Sequence, residues 1–140
     1  MRLSDVFPTD IPHDGISRDD YLGDYDRGPE LEDVLEGIED VLKDKGIAAK
    51  VEYKLVASYS VPESLIERLG IDESYLYDPD GYTDSIYRIK IVSEDEKVQI
   101  YYVPDLHELG YFFGTLDDAK RAAEREIENL SLYLEWWYSG

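Results

Sequence analysis

The residues of this chain best suited to chemistry are its carboxylates, because Asp and Glu number 33 and cysteine is absent. Asp78, Asp80 and Asp84 lie within seven residues, around the turn-forming pair Asp80-Gly81. Oxygen ligands gathered in this way can bind Ca²⁺, but an EF-hand has a bidentate Glu where this chain has Ile89. We therefore predict an ordinary Asp-Gly turn, with Asp78, Asp80 and Asp84 as weak metal candidates.

Glu52 and Lys54 form a second candidate, because residues two apart share one face of a strand. Metal-dependent nucleases use a carboxylate and an ammonium group in this arrangement to hold Mg²⁺ and to stabilise the leaving group. These enzymes also need an acidic residue on an earlier strand, and no strand is predicted before Glu52. We predict that the chain is not an enzyme and uses no cofactor. A carboxylate-based metal-dependent enzyme or metal-binding protein is the second alternative.

The two histidines, His13 and His107, are far apart in the sequence and lie in segments without periodicity. We expect both imidazoles to be solvated. The sequence contains no Walker loop, no nucleophile elbow and no dinucleotide-binding glycine motif, so it gives no support to nucleotide or acyl chemistry.

Net charge is the strongest signal in the composition. Lys and Arg number 14 against 33 acids, which gives −19 at pH 7 and a pI of ≈ 4.2. A body this acidic is repelled by nucleic acids and by anionic membranes, so we predict direct binding to neither. The hydrophobic content of 43% predicts a folded chain. Because no apolar run reaches ~18 residues and no export signal is present, we expect a cytoplasmic protein.

Apolar periodicity predicts the elements that must position these residues, since a period of two indicates strands and a period near 3.6 indicates helices. The predicted elements are helices at residues 29–45 and 116–137 and strands at 49–60, 85–92 and 98–103. They predict a single α+β domain over residues 29–140, with a three-stranded antiparallel sheet packed on one face by two main helices. Residues 1–28, rich in Asp, Pro and Gly, predict an irregular acidic arm.

The same periodicity predicts which large side chains are buried. In the first strand, Tyr53, Leu55 and Ala57 fall on one face, which is expected to pack against the helices. In the last helix, Trp136 and Trp137 are adjacent and so point in different directions. We expect one tryptophan in the core and the other partly exposed.

A dense row of acids lies on the first predicted helix. Its seven carboxylates avoid the apolar stripe, and a spacing of one per ~3.4 Å approximates that of phosphates along one DNA strand. Three tyrosines of the loop at 71–84 offer large contact area beside its Asp residues, as is typical of interfaces. The predicted partner-binding residues are Glu30, Glu32, Asp33, Glu36, Glu39, Asp40, Asp44, Tyr75, Tyr77 and Tyr82.

A short chain without cysteine, with carboxylates ranked along one helix, resembles the small acidic DNA-mimic inhibitors of phages and mobile elements, of the anti-restriction and anti-CRISPR type. The resemblance implies a non-enzymatic protein that occupies the basic nucleic-acid groove of a host defence or DNA-processing complex, in the host cytoplasm. The expected partner is therefore a basic nucleic-acid-binding protein or defence complex. A salt-adapted or structural acidic domain is the alternative, although Lys equals Arg at 7 each and salt-adapted surfaces tend to shed lysine.

Overall fold

The chain folds into an antiparallel sheet with helices on both faces. The computed structural model describes residues 2–23, 28, 30–70 and 83–139. Its strands are β1 (Ile16–Ser17), β2 (Lys50–Ser60), β3 (Thr83–Val92), β4 (Lys97–Val103) and β5 (Tyr111–Phe113). Its α-helices are α1 (Leu3–Val6), α2 (Arg18–Leu22), α3 (Leu31–Asp44), α4 (Glu63–Leu69) and α5 (Leu116–Ser139). The strand order is β1-β5-β4-β3-β2, and each neighbouring pair is antiparallel.

The α+β class is confirmed, but the predicted three-stranded sheet covered on one face by two main helices is wrong. The described residues form five strands and five α-helices. β1 has two residues and β5 has three, which is too short for an alternating pattern to stand out in a sequence. The two strands predicted at 85–92 and 98–103 correspond to β3 and β4, which form an antiparallel hairpin with Ile89 opposite Ile100.

Burial on both faces of β3 and β4 is the reason for two helical layers. Ile89 and Ile91 are buried on one face of the sheet, while Ile86 and Tyr101 are buried on the other. A strand that is apolar on both faces needs a packing layer on each side. The two main helices therefore lie on opposite faces of the sheet.

The first layer is α3, whose apolar stripe packs on the β3–β4 hairpin. Residues that recur at intervals of three and four lie on one side of a helix, so the stripe faces the sheet and the acids face away. Lys45 ends α3, and Gly46 follows with a φ of +67°, a left-handed conformation that suits glycine. The buried residues of this layer include Val34, Ile38, Leu42, Ile89, Ile91, Val98, Ile100 and Tyr102.

The N-terminal residues complete this first layer. The Glu96 carboxylate, in the β3–β4 connection, accepts hydrogen bonds from the backbone N–H groups of Leu3 (2.7 Å) and Ser4 (3.1 Å). Tyr21 stacks on Phe112 of β5, with ring centroids 4.6 Å apart. The described part of the predicted irregular arm thus contains α1, β1 and α2 and adds buried side chains to the core.

The second layer is α5, which has 24 residues and a length of ~36 Å at 1.5 Å per residue. Ala119 and Ala123 are fully buried against the sheet, where their small side chains allow close approach. Further along, Ile127 and Leu134 pack with Leu65 of α4. Within the described residues, no helix combines the length and the apolar character needed to cross a bilayer.

A β-bulge in β2 overturns part of the predicted core. The register shifts between Leu55, opposite Tyr87, and Ala57, opposite Ile86. The extra residue reverses the alternation, so Leu55 and Ala57 face opposite sides of the sheet. Tyr53 and Leu55, both predicted to be buried, are 58% and 51% exposed.

This difference in burial predicts unequal costs of truncation. Ile89→Ala should lower the free energy of unfolding by about 2 to 5 kcal/mol, because it removes buried apolar surface and leaves a cavity between two packed layers. Leu55→Ala, at a half-exposed position, should cost less than ~1 kcal/mol. Urea unfolding followed by circular dichroism measures both. Equal costs would contradict the exposure of Leu55.

Candidate functional site

The predicted acidic row lies on the solvent side of α3. We call its seven carboxylates the acidic surface, and six of them are exposed while Asp33 is partly buried. Exposure follows from the amphipathic pattern, because the buried stripe of α3 takes up the side facing the sheet. The acidic surface consists of Glu30, Glu32, Asp33, Glu36, Glu39, Asp40 and Asp44.

Charge along α3 follows the helix dipole. Glu32 and Asp33 lie in the first turn, and Lys43 lies in the last. Acids near the N-terminus and bases near the C-terminus stabilise a helix by about 0.3 to 1 kcal/mol each. The arrangement concentrates the negative potential on the first and middle turns of α3.

A cluster of cations lies on the opposite face of the sheet. Lys54 pairs with Arg88 across β2 and β3, and cross-strand partners share a face. Arg88 and Lys90 alternate with the buried Ile89, so they point away from α3. The positive charges of Arg88 and Lys97 lower the pKa of Lys90. We call this cluster the basic sheet surface. Glu52 lies within it, opposite Lys90 and 3.5 Å from the Lys50 Nζ. Its cations are Lys50, Lys54, Arg88, Lys90 and Lys97.

Of the remaining predicted site residues, only Asp84 lies within the described residues. Tyr75, Tyr77, Tyr82, Asp78 and Asp80 lie outside the described residues, so neither the tyrosine contacts nor the Asp-Gly turn can be placed. The sixth candidate, Asp84, is a residue of β3.

Asp84 is buried beneath α5 and is only 2% exposed. Loss of solvation, together with the negative charges of Glu126 and Asp105, raises the pKa of this carboxyl group to about 8. Asp84 is therefore protonated at neutral pH, when it is a poor ligand for a metal ion. No cluster of three or more His, Asp or Glu in the described ranges could hold a metal.

Sequence reasoning missed two histidine–carboxylate pairs beside α5. The His13 Nδ1 lies 3.0 Å from both carboxylate oxygens of Asp118, and this hydrogen bond holds the pKa of Asp118 below its usual range. The His107 Nδ1 lies 3.0 Å from the Glu126 Oε2, which also accepts the His107 backbone N–H at 2.7 Å. Both imidazoles are largely exposed, as expected, but neither is free of a partner. The partners are about 100 and 20 positions away in the sequence, a separation that no local pattern detects.

The two pairs line one cleft of about 640 Å³. Asp118 and Glu126 are eight residues apart on α5, which places them ~12 Å apart along the helix axis. The cleft also carries Asp14, Arg121, Arg125 and Asn129.

Comparison with protein-family models, with curated proteins and with solved structures finds no match to this chain. The function proposed below therefore depends on the charges, contacts and burial of its own residues.

The raised pKa of Asp84 makes the stability of the fold depend on pH. The pKa is about 8 in the folded state and 3.8 in a solvated carboxyl group, so between these values only the folded chain holds the proton. The free energy of unfolding should therefore fall as pH rises through this range. Asp84→Asn removes this titrating group. Between pH 5 and pH 9, the free energy of unfolding of the variant should therefore fall by on the order of 3 kcal/mol less than that of the unaltered chain.

Urea unfolding at a series of pH values measures this difference. Asp95→Asn is the matched control, because it makes the same chemical change at an exposed position in the β3–β4 connection and should leave the pH dependence unaltered. A profile for Asp84→Asn that parallels the unaltered chain would show that Asp84 is ionised in the folded state.

Proposed function

We propose that this chain is a non-enzymatic protein-binding module that inhibits or regulates a basic nucleic-acid-binding protein in the cytoplasm. It does so by presenting the acidic surface in place of DNA, as inhibitors of the anti-restriction and anti-CRISPR type do. The observation that carries this proposal is the exposure of six of the seven α3 carboxylates on the side of the helix that faces away from the sheet.

The density of charge on α3 supports mimicry of a phosphate backbone. The 14 residues of α3 extend over ~21 Å, so with Glu30 just before it the seven carboxylates average one per ~3 Å. One strand of duplex DNA carries a phosphate every ~3.4 Å of helix axis. A groove lined with Lys and Arg that accepts DNA would therefore meet a similar linear density of negative charge.

The segregation of charge favours this proposal over salt adaptation. In a salt-adapted domain the excess carboxylates serve solvation and are expected on every face. In this chain the acidic surface lies on the α3 side, while five cations gather on the basic sheet surface behind it. The cationic patch behind α3 gives the molecule a charge asymmetry that orients it in the field of a charged partner, although α5 also carries exposed acids such as Glu124 and Glu128.

A charge reversal on α3 tests the proposal. Glu36→Lys, Glu39→Lys and Asp40→Lys alter three exposed positions in the middle of the acidic surface and change the local charge by six units. The probe is the heparin-binding protein fraction of an extract from the native or host cell, which is enriched in basic nucleic-acid-binding proteins. The unaltered chain should retain a defined protein from this fraction, and the triple variant should retain at least tenfold less of it, because complementary charges govern both encounter and register.

A second triple variant controls for net charge. Glu67→Lys, Glu94→Lys and Glu128→Lys make the same change of six units at exposed positions outside α3. This variant should retain the partner nearly as well as the unaltered chain, and circular dichroism should show that both variants are folded. Equal losses in the two variants would mean that only the overall charge matters, and undiminished retention by the α3 variant would exclude the acidic surface as the interface.

A further inference from the structure

Large apolar side chains are exposed on the last turns of α5. Trp136 is 71% exposed and Trp137 is 61% exposed, so the expectation that one tryptophan is buried is wrong. Leu132 and Tyr133 are 60% and 54% exposed. Leu134, between them in the sequence, takes the buried position against α4 and leaves the other side of the helix uncovered. We call Leu132, Tyr133, Trp136 and Trp137 the aromatic surface.

The aromatic surface is one continuous patch. Its members are spaced at i, i+1, i+4 and i+5, which places them on one side of a helix. The ring centroid of Tyr133 lies 6.3 Å from that of Trp136 and 6.2 Å from that of Trp137, and the two indoles are 6.2 Å apart. Exposed aromatic patches of this kind mark contact sites, because aromatic side chains supply much of the binding energy at interfaces.

Charge is nearly absent around the aromatic surface. Glu135 is the single charged residue from 129 to 139, and its carboxylate forms an ion pair with Arg68 of α4. No lysine or arginine lies in this segment to attract a nucleic acid or an anionic membrane. In a chain of net charge −19, another copy could approach this patch with few opposed carboxylates from residues 129–139.

We propose that the aromatic surface binds the aromatic surface of a second copy of this chain, in a two-fold symmetric dimer. Two-fold symmetry brings the same patch of both copies together and closes the assembly at two. The four side chains expose on the order of 500 Å² in each copy, so a dimer would bury on the order of 1,000 Å², about what a specific interface requires. The proposal does not depend on the function proposed for α3.

Added salt should strengthen this dimer, whereas it should weaken a complex formed by the acidic surface. Two copies of charge −19 repel each other, and ions screen that repulsion over about 8 Å at physiological ionic strength. Salt also favours burial of apolar surface when the anion is sulfate or phosphate. Dimerisation should therefore tighten as salt rises, whereas binding of a basic partner to α3 should weaken.

Tryptophan fluorescence gives a direct readout, because Trp136 and Trp137 are the only tryptophans in the chain. The emission maximum should shift to shorter wavelength as protein concentration rises from micromolar to millimolar, when the indoles leave water. Sedimentation equilibrium over the same range should show the mass rising from 16.2 kDa towards twice that value. Raising the salt concentration should move both transitions to lower protein concentration.

Trp136→Ser and Leu55→Ser form a matched pair of variants, because each removes a large exposed apolar side chain, one on the aromatic surface and one on β2. Trp136→Ser should weaken dimerisation at least tenfold, with Trp137 retained as the fluorescent reporter, and Leu55→Ser should leave it unaltered. A chain that stays monomeric at all concentrations and salts would overturn the proposal. A dimer insensitive to Trp136→Ser, or growth beyond a dimer, would overturn it as well.

Discussion

Both faces of β3 and β4 are buried, and this double burial determines where the two main helices lie. Ile89 and Ile91 need α3 on one side, while Ile86 needs α5 on the other. Each helix is amphipathic, so the side that is not buried faces solvent. Because α3 and α5 lie on opposite faces of the sheet, these solvent-facing sides point in opposite directions. The acidic surface and the aromatic surface consequently lie on separate sides of the molecule, where each can be occupied without blocking the other.

The β-bulge in β2 lets one edge strand serve both layers. Before the bulge, Val51 packs against the α3 layer; after it, Ala57 and Tyr59 pack against the α5 layer. Tyr59 lies opposite Asp84, so the bulge helps to enclose that carboxyl group beneath α5. Burial among acids keeps Asp84 protonated at neutral pH, and this avoids the larger penalty of a buried unpaired charge.

The elements with strong local patterns were predictable from the sequence, and the contacts between distant residues were not. Periodicity located α3, α5 and the β3–β4 hairpin, and the exposure of the acidic surface follows from the pattern of α3 alone. The two short strands carry no pattern, and a bulge adds one residue without a sequence signal, which is why the change of face between Leu55 and Ala57 was not predicted. The pairing of His13 with Asp118 is a tertiary contact that only the assembled fold reveals.

We propose that the acidic surface occupies the site where a basic partner holds DNA. The most direct measurement is fluorescence anisotropy of a labelled DNA duplex bound to the partner retained on this chain, as the chain is titrated in. We expect displacement of the duplex with one equivalent of chain per binding site, and the apparent affinity of the chain should fall in proportion to added duplex. Formation of a ternary complex, with the duplex still bound at saturating chain, would contradict it.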